Sequence, residues 1–128
     1  MPSSHISKAK HNEEFYTQIK KISNGYYTDW QITVIFYSTY HYMNAFLVFK
    51  KNAAAKSHAE MKIKLEKVLK KEEQNLFTAI YFNSRMSRYD VLSNTMQEAI
   101  LKSKLKESQD FFIEIKRILA TNYKLNLN

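Results

Sequence analysis

Apolar positions recur at helical spacing in five successive segments of this chain. The first, from about Ser7 to Ser23, puts Phe15, Ile19 and Ile22 on one stripe at i, i+4 and i+7. It stops at Asn24-Gly25, where glycine takes the left-handed conformation that ends a helix. The second opens at Thr28-Asp29-Trp30-Gln31, a capping box, and runs to Phe49 as the organising helix of the fold. The third opens at another capping box, Ser57-His58-Ala59-Glu60, after the loop from Asn52 to Lys56, and carries Met61, Leu65 and Val68 on its apolar stripe. Between the third and fourth helices, Lys70 to Glu73 has no Gly, Pro or clear cap, and only a change of apolar phase marks a turn. The fourth helix is predicted from about Gln74 to Tyr89. The fifth opens at Thr95-Met96-Gln97-Glu98 and spaces Leu101, Leu105, Ser108, Phe112, Ile115 and Leu119 at 4-3-4-3-4.

The second segment holds no Asp, Glu, Lys or Arg between Asp29 and Lys50. An uncharged run of roughly 20 residues is long enough to span a bilayer. Gln31, His41, Asn44 and a series of Ser, Thr and Tyr hydroxyls are costly in hydrocarbon, however. Four other segments each need something to bury one apolar face against. A helix apolar nearly all round is what the centre of a soluble bundle requires. The expectation is a core helix, no membrane span and a cytoplasmic protein.

Composition supports that picture. With 128 residues, one Gly, one Pro and no Cys, the chain has too few turn residues for a β architecture and no thiols for a disulfide framework. We expect one domain over residues 1–128, all-α, an up-and-down bundle of four to five helices, with 1–6 and 124–128 flexible. The start, Met1-Pro2-Ser3-Ser4-His5, has no apolar core of a secretory signal. The net charge of +8, from 17 Lys and 3 Arg against 12 acids, favours polyanions such as RNA, DNA or anionic lipid. Lys-rich composition alone also arises from a coding sequence rich in A and T. The segment from Lys50 to Lys71 carries eight Lys, and would serve as a phosphate-tracking face or as an ordinary solvated surface.

Candidate chemistry is sparse. A single Gly rules out phosphate-cradling loops, and neither a metal-ligand string nor a nucleophile elbow occurs, so no cofactor or metal is expected. His58-x-Glu60 resembles the zinc deaminase string only superficially, since the Cys ligands are absent. His41 lies mid-helix, one turn from Tyr37. It is either a neutral core histidine bonded to a tyrosine or a backbone carbonyl, or a titratable group lining a pocket. His58 follows the Ser57 cap, where the helix dipole disfavours imidazolium, so its ring should be neutral. The strongest polar cluster is Ser84-Arg85-Met86-Ser87-Arg88-Tyr89-Asp90, with Tyr81, Arg85 and Arg88 at i, i+4 and i+7. Two of the three Arg fall within four residues, which points to a use for the bidentate fork: clamping a phosphate, or pairing with Asp90 or another carboxylate inside the bundle.

The uncharged stretch Trp30 to Leu47 with the Ser57-His58 helix start, and Ser84-Arg-Met-Ser-Arg-Tyr-Asp-Val91 with the Glu98-Ala99 and Phe111-Phe112 helix after it, together resemble the HEPN domain family over about 90 residues. The resemblance implies a homodimeric helical bundle. Family members act as RNases in toxin–antitoxin and defence systems, or as non-catalytic partners of nucleotidyltransferase-like proteins. Catalytic members carry Arg followed four to six residues later by His. Here the arginines are Arg85, Arg88 and Arg117, and no His follows His58, so that motif is absent. Tyr89 and Asp90 stand near its place, and neither replaces imidazole as a general base at neutral pH without a large pKa shift. The leading expectation is therefore a non-catalytic module binding RNA, a nucleotide, or a nucleotidyltransferase-like or antitoxin partner. Its site would comprise Tyr37, His41, His58, Tyr81, Arg85, Arg88, Tyr89 and Asp90. The alternatives are an RNase with a rearranged site built from His41 or His58 and Arg85, and a purely structural or protein-interaction bundle.

Overall fold

A computed structural model describes residues 2–23, 27–89 and 94–128, with the side chains of 23, 89 and 94–97 outside that description. Five helices follow one another: α1 (Pro2–Ser23), α2 (Thr28–Phe49), α3 (His58–Glu66), α4 (Lys71–Tyr89) and α5 (Asn94–Arg117), with a π-helical turn at Ile118–Asn122. The described residues contain no strand. Ser38 of α2 bonds Ala9 of α1, Tyr37 bonds Arg88 of α4, and Asn83 of α4 bonds Ser108 of α5. These pairings, with Phe36 on Phe77 and Tyr42 on Phe112, set the four long helices up, down, up and down, with α3 as a short crossover.

The uncharged helix is the centre of the bundle. Ile32, Ile35, Tyr42, Met43, Ala45, Phe46 and Leu47 are all buried, packed by Ile80 of α4, Ile115 of α5 and Leu119 of the π-helical turn. Its buried polar groups have work within the fold. Ser38 donates to the Ala9 carbonyl at 2.7 Å, and Thr39 to the Ile35 carbonyl at 2.7 Å. Tyr40 donates to the Ala55 carbonyl at 3.0 Å, while the Asn44 amide oxygen accepts the Ala55 N–H at 2.8 Å. A buried polar group so paired loses little on leaving water. Among the described residues no helix is long and apolar enough to cross a membrane. The α5 stripe faces inward as its spacing requires: Leu101, Ser108, Phe112, Ile115 and Leu119 are buried.

Several details depart from expectation. The α1 stripe points outward: Phe15 is 51% and Ile22 75% exposed, and only Ile19 is buried. The inward face is instead Ile6, Ala9, Glu13, Tyr16 and Ile19. Its two polar members are bonded rather than shed. The Glu13 carboxylate accepts from Lys116 at 2.7 Å and from Tyr42 at 3.2 Å, and the Tyr16 hydroxyl accepts from Gln109 at 2.5 Å. Helix α1 also begins at Pro2, not near Ser7, and buries Ile6, so residues 2–6 belong to the fold. The Asn24-Gly25 stop lies outside the described residues.

The Thr28 capping box does not form. Helix α2 includes Thr28 itself, Tyr27 holds the N-cap position in a left-handed conformation (φ 58°), and no side chain caps it. The Ser57 cap does form, its hydroxyl accepting the Glu60 N–H at 3.1 Å. The turn before α4 comes earlier than Lys70–Glu73, since α3 ends at Glu66 and α4 begins at Lys71. Glu73 reaches back to accept the Lys70 N–H at 2.9 Å, half of a capping box without its Ser or Thr. Helix α5 starts at Asn94, one residue before Thr95, whose side chain lies outside the description. The end of the chain is not a loose tail either. The Leu125 N–H donates to the Leu119 carbonyl at 2.9 Å, and the Leu125 side chain is buried in the core. The Tyr123 hydroxyl bonds Glu73, and burial with that carboxylate pushes its pKa up to about 12.

Candidate functional site

The two arginines stand on α4 with Tyr81 because positions 81, 85 and 88 share one helical face. Both are exposed at the bundle surface. Each is joined to a tyrosine in the same way. Arg85 Nη1 donates to the Tyr81 hydroxyl at 3.1 Å, with the guanidinium 5.9 Å from the ring centroid. Arg88 Nη1 donates to the Tyr37 hydroxyl of α2 at 3.2 Å, 5.8 Å from that ring. Arg88 Nε also donates to the Ser84 carbonyl at 3.3 Å, and its guanidinium lies 6.0 Å from the Phe36 ring. Cation–π contact and hydrogen bonding to a tyrosine hydroxyl orient each fork at the surface.

His58 comes to the same place from α3. Its imidazole lies parallel to the Tyr81 ring, centroids 3.3 Å apart and planes 6° from parallel, with Phe77 at 5.8 Å. The loop before it is held by both bonds from α2 to Ala55, and the Ser57 cap fixes the first turn. Burial lowers the His58 pKa first, then the nearby Lys62 and Arg85. Burial, rather than the helix start, is the first cause, and it favours the uncharged ring. Its Nδ1 is buried and makes no hydrogen bond.

His41 does not join this group. Its imidazole stacks on His5 of α1, centroids 6.0 Å apart at 24°, and meets the neighbouring Tyr40 edge-on. Neither reading of it as bonded to a tyrosine or carbonyl holds for Nδ1, which is buried and makes no hydrogen bond. Its pKa is lowered by burial, then by His5 and Lys8. Of the expected site, the structure brings together Tyr37, His58, Tyr81, Arg85 and Arg88 and leaves His41 with α1. The Tyr89 side chain and Asp90 lie outside the described residues. Sequence reasoning missed Phe36 and Phe77, the rings beneath the cluster, which resemble any other buried aromatic in the pattern. Phe36 contacts Tyr37 at 5.4 Å, Tyr81 at 5.6 Å and Phe77 at 6.1 Å.

Lys62 and most lysines of the segment 50–71 are exposed, so a basic surface borders His58. A cleft of about 350 Å³ between α1 and α5 holds none of the expected residues, and its Glu13 and Lys116 already pair at 2.7 Å. Among the described residues no three His, Asp or Glu converge as metal ligands. No protein-family model matches the chain, and no curated protein or solved structure is significantly similar to it.

Proposed function

We propose that this chain is a non-catalytic, HEPN-like module that binds single-stranded RNA at the Tyr37, Tyr81, Arg85 and Arg88 surface. One observation carries the reading: two exposed arginines, each oriented by a tyrosine, stand one turn apart on α4 beside exposed lysines. Guanidinium forks suit phosphate oxygens, and the exposed Tyr37 ring suits an unstacked base, the combination by which proteins hold single strands. The net charge of +8 adds a long-range attraction for the same ligand. The HEPN resemblance leads us to expect a homodimer as well, which light scattering of the purified chain decides.

Anisotropy titration of a fluorescent ten-nucleotide oligo(U) tests the reading. Arg85→Ala with Arg88→Ala should weaken binding at least tenfold with the fold unchanged. Equal affinity of the double variant and the parent chain overturns the site.

A second reading, RNA cleavage with His58 as base, has one observation in its favour: the imidazole lies on Tyr81, whose hydroxyl accepts from Arg85. Incubated RNA that is cut by the parent chain and spared by His58→Ala would establish it over the first.

A further inference from the structure

The exposed apolar stripe of α1 has no role in the core, and it does not stand alone. Phe15 and Ile22 join Tyr27 and Trp30 around a groove of about 270 Å³ at one end of the bundle. Trp30 is 54% and Tyr27 59% exposed. Tyr27 is held there by its left-handed backbone, a conformation uncommon for a bulky residue.

Trp30 also lies seven residues before Tyr37, so both rings project from one face of α2. Their positions are about 10 Å apart along the axis, at roughly 1.5 Å per residue. The turn between them is closed, with Thr33 and Val34 buried, so the two rings are separate platforms. The separation equals about three rises of a stacked strand, at roughly 3.4 Å each.

Resting on the RNA reading above, we infer that a bound single strand continues from the Tyr37–Arg88 pair along α2 onto Trp30 and Tyr27. Bases are the occupant that continuity and charge favour. The groove shares a helix face with the arginine-bearing site, so a strand leaving the guanidinium forks along α2 meets its exposed rings next, and the net charge of +8 draws the same polyanion. A second copy fits worse. A two-fold contact would bring together two molecules that each carry a net charge of +8. A handful of half-exposed side chains also falls short of the about 800 Å² per partner of a standard interface.

The test uses the whole chain with oligo(U) of three and ten nucleotides. Trp30 is the one tryptophan of the sequence, so its fluorescence reports stacking without mutation. The ten-mer should quench it and the three-mer should not. Trp30→Leu, which keeps the apolar bulk, should weaken the ten-mer about tenfold, the loss of one base stack, and leave the three-mer unchanged. An unquenched Trp30 with the ten-mer bound overturns the inference, as does a Trp30→Leu chain that binds both lengths as the parent does. So does a Trp30→Leu chain that turns from dimer to monomer with RNA affinity intact. Failure of the arginine site shows differently, as three-mer binding indifferent to Arg85→Ala and Arg88→Ala.

Discussion

The imidazole of His58 lies flat on the phenol ring of Tyr81, their centroids 3.3 Å apart. The contact ties the start of α3 to the arginine face of α4, two elements with few other bonds between them. It depends on a loop held from beneath, because Tyr40 and Asn44 of α2 take both backbone groups of Ala55. Polar residues that make α2 a poor membrane span are thus the ones that deliver His58 to the site.

Asn44→Ala tests this chain of support. The substitution leaves the buried Ala55 N–H without a partner, a cost of about 1–3 kcal/mol. Urea denaturation should show that loss. The His58 ring-proton resonance, displaced upfield by Tyr81, should move toward its random-coil position. An unchanged midpoint with an unchanged resonance shows that Asn44 does not hold the loop.

Acid should destabilise the fold before any carboxylate titrates. Burial is the largest cause lowering the pKa of His5, His41 and His58, with Lys8 near the first two and Lys62 and Arg85 near the third. A histidine with a folded pKa below its unfolded value of 6.5 binds protons more readily when unfolded. Stability is therefore full above about pH 6.5 and declines as pH falls from there toward the lower folded values. Melting temperatures between pH 8 and 5 should be flat at first and then fall. His41→Gln should flatten the decline, and a midpoint that rises on acidification contradicts the assignment.

The two ends of the apolar inventory should respond in opposite ways. Leu125→Ala removes a core side chain and should cost about 2–5 kcal/mol. Ile22→Ser, at a position 75% exposed, should change stability by no more than about 0.5 kcal/mol. Thermal or chemical melts of both variants check the pair. Equal losses would mean that α1 turns its other face to the core.

The helices and most of the core are legible because α2 and α5 turn most of their apolar residues inward and α3 buries Met61 and Leu65. Val68, by contrast, lies past the end of α3 and is half-buried. Helix α1 misled because its more hydrophobic stripe, Phe15 to Ile22, is not its docking face. Docking uses Ala9 for close approach and Glu13 and Tyr16 for bonds to distant helices, and such partners leave no periodic signal. The Leu125 return was hidden for a similar reason, since it rests on a π-helical turn and a backbone bond from Leu125 to Leu119 across it. At the site, Tyr81, Arg85 and Arg88 could be read from helical spacing. That His58 joins them while His41 faces His5 depends on the route of the loop before α3, which no spacing encodes.

The exposed arginines make one further outcome specific. Arg85→Ala with Arg88→Ala should leave stability within about 0.5 kcal/mol, because neither side chain is in the core. Chemical melts of the double variant beside the parent check this. A larger loss would assign the pair a structural role.

Whether Arg85 and Arg88 contact RNA phosphates is read most directly from the salt dependence of binding. Each phosphate neutralised on a single strand contributes roughly 0.7 to the slope of log affinity against log salt. For the ten-nucleotide oligo(U), the Arg85→Ala, Arg88→Ala chain should show a slope shallower by about 1.4 than the parent's, twice the single-contact value. A double variant with the parent's slope and the parent's affinity contradicts the account.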